Sequence, residues 1–170
     1  MTTDEDFEAA VLAASRALLG MAVVSIDGAS TDVTLSQFRA LVLLATRGPL
    51  TMSTLATSMR LSPSSATRLV DRLEPKDLAT RRPSPTSRRA IELCITTRGA
   101  ALVTEVMEAR HGVIRGIVSR IPGPRRAAML QAFEEFAVAA GEPVDWAPEA
   151  WITTGVPGND GQGAAMVIDG

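Results

Sequence analysis

TMSTLATSMRLSPSSATRLVDRLE, residues 51–74, contains two short helical patterns separated by a tight turn near Arg60. Thr51 is placed to cap the first helix and Ser62 to cap the second. Pro63 then occupies the first helical position of the second helix, where a missing backbone N–H leaves no partner unsatisfied. Two short helices at this spacing, with arginines on the second, predict a helix-turn-helix.

The second helix of this stretch has two chemically different faces. Its apolar residues follow the 3, 4, 7 spacing of a buried stripe: Ala66, Leu69, Val70 and Leu73. The rest of the helix carries short hydroxyls and arginines: Ser64, Ser65, Thr67, Arg68 and Arg72. Ser and Thr are poorer helix formers than Glu and Lys, which a purely solvated face would more naturally carry. Short hydroxyls allow close approach to DNA, and arginine suits guanine or phosphate. We therefore expect Arg68 to contact guanine and Arg72 a phosphate; pairing of both with Asp71 or Glu74 in solvent is the alternative.

A β-hairpin is predicted directly after this helix. Residues 78–82 read as a short strand, 83–87 as a turn-rich tip, and 90–96 as a strand with one buried face. That buried face would carry Ile91, Leu93 and Ile95. Two arginine pairs flank the tip: Arg81 with Arg82, and Arg88 with Arg89. Arginine on a narrow projection suits the minor groove of DNA. The alternative is that these arginines only keep the hairpin soluble. Together with the helix-turn-helix, the hairpin predicts a winged helix.

Long apolar helices are predicted on both sides of this unit. Residues 4–26 and 97–120 each carry a wide apolar stripe, and on the second it covers about half the circumference. One neighbour does not require that much, so we expect contact with a second chain. A final helix over 124–140 is expected to bury Met129, Leu130, Phe133 and Phe136. Between the first helix and the winged helix, Thr34 and Gln37 predict a capping box.

The segment from residue 34 to residue 99 resembles the MarR (multiple-antibiotic-resistance regulator) family of winged-helix transcription factors, within a match that extends from about residue 5 to residue 140. The resemblance rests on S-P-S-x-x-T-R-L-V-D-R-L-E and on a paired-arginine wing followed by L-x-I-T-x-x-G. It implies a homodimeric regulator, most often a repressor, on a near-palindromic operator. It also implies a small aromatic or phenolic effector between the dimerisation and DNA-binding parts. Asp77 stands where the family usually has Gly, so we expect Asp77 to take the left-handed conformation.

Composition narrows the remaining function classes. The net charge of −2 conceals eleven basic and four acidic residues between Thr34 and Arg98, which favours a polyanionic partner there. One cysteine and one histidine are too few for a disulfide, an ordinary zinc site or a nucleophile–base–acid set. We therefore expect no enzyme activity, metal or cofactor. The acidic N-terminus and the expected lack of an apolar run of membrane length favour a cytoplasmic protein without membrane attachment.

These observations predict a mainly α fold: a winged helix-turn-helix with a two-stranded β-wing, flanked by N- and C-terminal dimerisation helices. We expect a dimerisation helix in 1–30, the DNA-binding domain in 31–98, dimerisation helices in 99–141 and a flexible tail in 142–170. Double-stranded DNA and a second copy are the expected partners. The expected DNA contacts are Thr51, Ser53, Ser62, Ser64, Ser65, Thr67, Arg68, Arg72, Arg81, Arg82, Arg88 and Arg89. A winged helix used only for protein contact is the alternative.

Overall fold

The computed structural model of the protein describes residues 3–30, 32–84 and 87–140, and for residues 87–89 the backbone alone. Helices and a small sheet make up this part of the chain. Their order is α1 (Asp4–Asp27), α2 (Leu35–Arg47), β1 (Leu50–Thr51), α3 (Met52–Met59), α4 (Pro63–Leu73), β2 (Ala79–Ser84), β3 (Ser87–Ile95), α5 (Thr97–Val118) and α6 (Gly123–Ala139). The predicted mainly α winged helix is confirmed.

The described residues divide into two compact units. One combines residues 3–39 with residues 102–140, and the other comprises Ala40–Ala101. The second unit therefore contains the helix-turn-helix and the wing. The four-part division predicted from the sequence stays a prediction, and its proposed tail, 142–170, lies outside the described residues.

Side-chain caps fix where the helices of the winged helix begin. The Thr34 N–H donates to Gln37 Oε1 at 2.9 Å and the Gln37 N–H to Thr34 Oγ1 at 3.2 Å, which confirms the predicted capping box. The hydroxyls of Thr51 and Ser62 each accept a backbone N–H three residues ahead, at 3.1 and 3.2 Å. Between α3 and α4, Arg60 adopts a left-handed conformation with φ 54°. The tight turn of the helix-turn-helix is therefore made without glycine.

A second left-handed residue ends the recognition helix α4. A short 3-10 turn, Glu74–Lys76, follows the helix, and Asp77 then takes φ 55° as predicted. The Leu78 N–H donates to the Leu73 carbonyl at 3.1 Å and closes the turn into β2. Asp tolerates this conformation better than most residues with a Cβ, which explains how the chain turns here without Gly.

The wing belongs to a three-stranded antiparallel sheet in the order β1–β3–β2. The two-residue β1, which pairs Leu50 with Leu93, was not predicted because two residues cannot show an alternating pattern. Ile91 is 59% exposed, so its predicted burial was wrong. It lies opposite Pro83, past the last β1 pair, on the outer part of the wing where β3 pairs with β2 alone. Cys94 is buried nearer the base of the wing.

The core of the second unit is aliphatic and draws on every element of the winged helix. Its fully buried side chains include Leu41, Leu44, Leu55, Val70, Leu73, Leu78 and Leu93. Burial of a Leu or Val side chain contributes about 1.5–3 kcal/mol relative to an exposed one. This core holds the buried side of α4 in place and leaves its opposite side to solvent.

Gly99, in the first turn of α5, lies against the chain just before β2. A Cβ at this position would come within 2.0 Å of the Leu78 carbonyl oxygen and 2.9 Å of the Ile95 side chain. We expect Gly99→Ala to lower the free energy of unfolding by about 1–3 kcal/mol, because the backbone must shift. Gly28→Ala, where the nearest atom would be 3.7 Å away, is the control. Equal denaturation midpoints for both variants would contradict this contact.

The first unit leaves large apolar side chains in solvent. Met129, Leu130, Phe133 and Phe136 on α6 are 37–60% exposed in the single chain, so their predicted burial stays a prediction that requires a second chain. α1 exposes a second apolar set: Phe7, Leu12, Leu18, Leu19, Val23 and Val24. Between α1 and α6 lies an apolar groove of about 230 Å³, which Phe7, Leu18, Phe133 and Phe136 help to line.

α1 is also apolar enough, by length and composition alone, to cross a membrane. One 18-residue window of this helix has a mean hydropathy of 1.9. The expectation that no apolar run has this length was therefore wrong. The same composition suits a helix whose faces pack on protein, since core helices of soluble proteins meet the criterion too.

Candidate nucleic-acid interface

α4 is buried on one side and exposed on the other, as its sequence predicts. The buried side carries Ala66, Leu69, Val70 and Leu73. The exposed side carries Ser64, Thr67, Arg68, Asp71 and Arg72, and Ser65 is half-buried at its edge. A rigid helix with an open row of donors is the geometry by which a helix-turn-helix reads the major groove.

The hydroxyls at the start of α4 form a connected cluster. Ser62 Oγ lies 2.9 Å from Ser65 Oγ and 3.2 Å from Ser64 Oγ, in addition to its capping bond. Thr67 donates to the Pro63 carbonyl at 3.0 Å. Ser62 is thus committed mainly to the cap, whereas the exposed Ser64 and Thr67 can still accept or donate outward. For all of these residues, contact with DNA stays a prediction.

A similar cluster of three hydroxyls lies at the start of α3. Thr51 Oγ1 lies 2.9 Å from Ser53 Oγ and 2.8 Å from Thr54 Oγ1, while also capping the helix. Ser53 is exposed and Thr51 is half-buried. Ser53 is therefore the better placed of the two predicted residues to reach a phosphate.

Arg68 and Arg72 are exposed and one helical turn apart on α4. The Arg68 Nε donates to the Ser64 carbonyl at 3.3 Å, which directs the guanidinium toward the N-terminus of the helix. Neither arginine forms an ion pair with Asp71 or Glu74 within the described part of the chain. The alternative that these carboxylates occupy Arg68 and Arg72 therefore has no support in the structure.

Arg81 instead forms ion pairs with both carboxylates, those of Asp71 and Glu74. Its Nη2 lies 2.8 Å from Asp71 Oδ1, its Nη1 bonds Glu74 Oε2, and its backbone N–H donates to Glu74 Oε1 at 3.2 Å. The Arg81 side chain is 29% exposed, and it ties strand β2 to the end of α4. These contacts favour a positioning role over the predicted DNA contact. The i, i+3 spacing of Asp71 and Glu74 is the sequence signal that could have identified them as its partners.

The outer wing carries the remaining predicted contacts. Arg82 is exposed on β2 opposite Glu92, and Glu92 accepts a hydrogen bond of 2.6 Å from the buried Ser84 hydroxyl. The side chains of Arg88 and Arg89 lie outside the described residues. Both stand on β3 next to the tip, so their role on DNA stays a prediction.

Cys94 shows no sign of a reactive thiol. Burial raises its pKa, and this effect outweighs the charge of Arg82, which acts in the opposite direction. A raised pKa keeps the thiol protonated and weakly nucleophilic at neutral pH. Among the residues that the structure describes, no group of three or more His, Cys, Asp and Glu side chains could hold a metal ion.

The chain is similar to known regulators in sequence and in structure. The family model for the MarR family matches residues 33–91. The HTH-type transcriptional repressor MdtR of Bacillus subtilis is 34% identical over 100 residues, which are 59% of this chain and 63% of MdtR. The chain thus spans less than two thirds of the length of the curated relatives it matches.

Two solved structures extend the similarity beyond the winged helix. The crystal structure of RV1404 from Mycobacterium tuberculosis is 37% identical, with a TM-score of 0.77, and the match covers 85% of this chain and 99% of that one. FabT of Streptococcus pneumoniae, solved in complex with DNA, shares the fold with a TM-score of 0.70 at 14% identity, over 82% of this chain and 98% of FabT.

The relatives matched by sequence are transcriptional regulators and not enzymes, in agreement with the expectation from composition. The winged helix, the capped recognition helix with its open hydroxyl and arginine face, and the similarity over nearly all of RV1404 lead to one assignment. The chain belongs to the MarR family of helix-turn-helix transcriptional regulators.

Proposed function

We propose that the protein is a cytoplasmic transcriptional repressor that binds a near-palindromic DNA operator as a homodimer. The observation that carries this proposal is the exposed side of α4, where Ser64, Thr67, Arg68 and Arg72 stand open while the opposite side is anchored in the core. In this arrangement α4 enters the major groove with its N-terminal half, Arg68 contacts guanine and Arg72 contacts phosphate.

The homodimer is supported by the exposed apolar surface of the first unit. α1, α6 and the end of α5 together present many large apolar side chains, more than a soluble monomer usually shows. A second copy related by a two-fold axis would cover them. It would also place two recognition helices about 34–36 Å apart, one turn of DNA, so that each reads half of a palindrome.

The relatives support DNA as the partner. MdtR is a transcriptional repressor, and FabT, which shares the fold, was solved in complex with DNA. The family resemblance further suggests that a small aromatic or phenolic effector releases the protein from DNA. Release of a labelled operator by candidate compounds would test that part separately.

Selection from random duplex DNA tests the proposed function. We expect the purified full-length protein to enrich a near-palindromic sequence with half-sites one turn apart, and to bind it far more tightly than unrelated DNA of the same length. A winged helix used only for protein contact would enrich no sequence. Equal affinity for the enriched and the unrelated duplex would therefore refute operator binding.

The wing arginines provide a second test through salt dependence. We expect Arg88→Ala with Arg89→Ala to weaken specific and non-specific binding together, because phosphate contacts are sequence-independent. The slope of log K against log salt should fall by about 0.9 for each phosphate that a subunit no longer neutralises. Affinities are to be measured by fluorescence anisotropy between about 50 and 200 mM salt, the range over which this dependence is steep. Wild-type salt dependence in the double variant would show that the wing is not on the DNA.

A further inference from the structure

The apolar groove between α1 and α6 is a surface that the DNA-binding function does not use. It has a volume of about 230 Å³, and Phe7, Phe133 and Phe136 are among the residues that line it. These three rings are 46–62% exposed in the single chain. Two short side chains, Ala10 and Ala132, leave space between them. Free energy is gained when an apolar group displaces water from a surface of this kind.

The chemistry of the groove favours an uncharged occupant with aromatic character. Among the residues that the structure describes, none that lines it is charged, and the hydroxyl of Ser15 already donates to the Leu12 carbonyl at 2.9 Å. A protein cavity of about 150 Å³ accepts benzene, so about 230 Å³ has room for a two-ring side chain. Aromatic rings also attract one another in edge-to-face or offset arrangements. An indole ring fits both the space and its lining.

α1 carries exposed apolar side chains on two separate sides. Phe7 and Leu18 lie on the side of the groove. Leu12, Leu19 and Val23 are exposed as well, and at 3.6 residues per turn they lie about 140° away around the helix. A second copy can pack against that other side. The groove is therefore open to a different occupant.

The part of the chain that follows α6 contains such an occupant. Gly141 comes directly after the helix and permits a reversal of chain direction. The sequence EPVDWAPEAW, residues 142–151, then carries Trp146 and Trp151, the two tryptophans of the chain. An indole ring that stays in water keeps a large apolar surface exposed. Burial in the groove would remove that surface from water.

The length of this segment matches the extent of the groove. On α6 the groove reaches from Met129 to Phe136, which lie about 15 and 5 Å before Ala139 along the helix axis. The chain from Ala139 to Trp146 spans up to about 24 Å when extended. Trp146 can therefore reach every part of the groove, and Trp151 has still more chain available. Because the segment is attached to α6, its effective concentration at the groove is high.

We propose that residues 141–152 fold back along α6 and dock in the groove of their own chain, with an indole ring seated between α1 and the α6 phenylalanines. The indole N–H stays at the open side of the groove, where water accepts its hydrogen bond. The outer sides of Phe133 and Phe136 remain exposed, so their complete burial still depends on the proposed second copy. The docking itself requires neither that copy nor DNA.

Intrinsic fluorescence tests the docking directly, because the chain has no tyrosine and both tryptophans lie in this segment. We expect the full chain to emit at a shorter wavelength than N-acetyltryptophanamide and to be quenched several-fold less by acrylamide. Trp146→Phe and Trp151→Phe each leave one indole and show which ring is protected. Protection of either ring supports the proposal.

A variant that fills the groove provides the second measurement. Ala132→Leu adds a larger side chain at an exposed position of α6, where Leu is a good helix former. We expect it to shift emission and quenching to those of N-acetyltryptophanamide. Ala127→Leu, the same substitution at an exposed position of α6 outside the groove lining, is the control and should leave both unchanged. Far-UV circular dichroism should show equal helical content in the two variants.

Mixed samples distinguish docking in the same chain from docking on a second copy. One chain carries Ala132→Leu and keeps both tryptophans, and the other keeps the open groove and carries Trp146→Ser with Trp151→Ser. After subunit exchange, we expect the emission of the mixture to equal that of the first chain alone. Recovery of protected emission would show that the segment docks on the other copy, and would overturn the proposal.

Two further results would overturn it. The first is wild-type emission and quenching equal to those of N-acetyltryptophanamide, which the flexible tail expected for 142–170 predicts. The second is equal behaviour of Ala132→Leu and Ala127→Leu. None of these readouts involves DNA, so their failure would leave the proposed operator binding intact. Conversely, a protein without an operator could still dock its own tryptophan.

Discussion

Aspartate at both Val113 and Ile117 is expected to convert the protein from a dimer into a species that no longer binds its operator. Ile117 is 41% exposed and Val113 is half-buried in the single chain, so neither substitution disturbs a completed core. In the proposed dimer both would lie in an apolar seam, where an unpaired charge costs several kcal/mol. Sedimentation at micromolar concentration should show monomers in place of dimers.

The control for this variant uses the opposite side of the same region. Arg115→Asp with Ser119→Asp adds negative charge at exposed positions and should leave the dimer and its operator affinity in place. Far-UV circular dichroism should show helical structure in both variants, since residues 34–98 can keep their own core. A helical Val113→Asp, Ile117→Asp monomer that still binds the operator tightly would disprove the two-fold arrangement.

Arg68→Ala is expected to reduce operator affinity by about 1–3 kcal/mol, the usual contribution of a bidentate arginine–guanine contact. It should also relax sequence preference at one base position in each half-site. The Arg68 guanidinium makes only one bond within the described chain, a 3.3 Å contact to the Ser64 carbonyl, so stability should hardly change. Affinity and preference are to be measured by anisotropy and by repeated selection with the variant.

A matched control distinguishes base reading from general charge loss. Arg125→Ala, at an exposed position on α6, removes the same charge away from the recognition helix and should leave base preference unchanged. If Arg68→Ala only weakened binding equally for all sequences, Arg68 would be a phosphate contact. Unchanged affinity together with unchanged preference would remove it from the interface.

Most of the winged helix could be predicted because its signals are local. The caps at Thr34, Thr51 and Ser62 and the apolar stripe of α4 each act within a few residues, and each was located correctly. The left-handed Asp77 followed from the same kind of reasoning. The two-residue β1 was missed, because its existence depends on pairing with Leu93, which is distant in sequence.

The predictions that fail concern the surroundings of individual side chains, and not which helices and strands form. Ile91 fits an alternating strand pattern, yet it lies on the outer part of the wing, past the end of β1, and is exposed. Phe133 and Phe136 have the spacing of a buried stripe and are exposed in the single chain, so their burial depends on the proposed second copy. Arg81 has the same sequence context as the other wing arginines, but it is bound by Asp71 and Glu74. Periodicity identifies an apolar face and leaves its partner undetermined.

The Arg81 contacts have a consequence for how the protein would search a genome. Two carboxylates and one guanidinium leave one net negative charge beside the recognition helix. Within about 10 Å, the screening distance at moderate salt, that charge offsets part of the attraction of the exposed Arg68 and Arg72 for phosphates of any sequence. The offset is the same for operator and random DNA, so it shortens residence on both. On the proposed binding mode, discrimination between sites is therefore left to the contacts that Arg68 and the hydroxyls of α4 make with base edges.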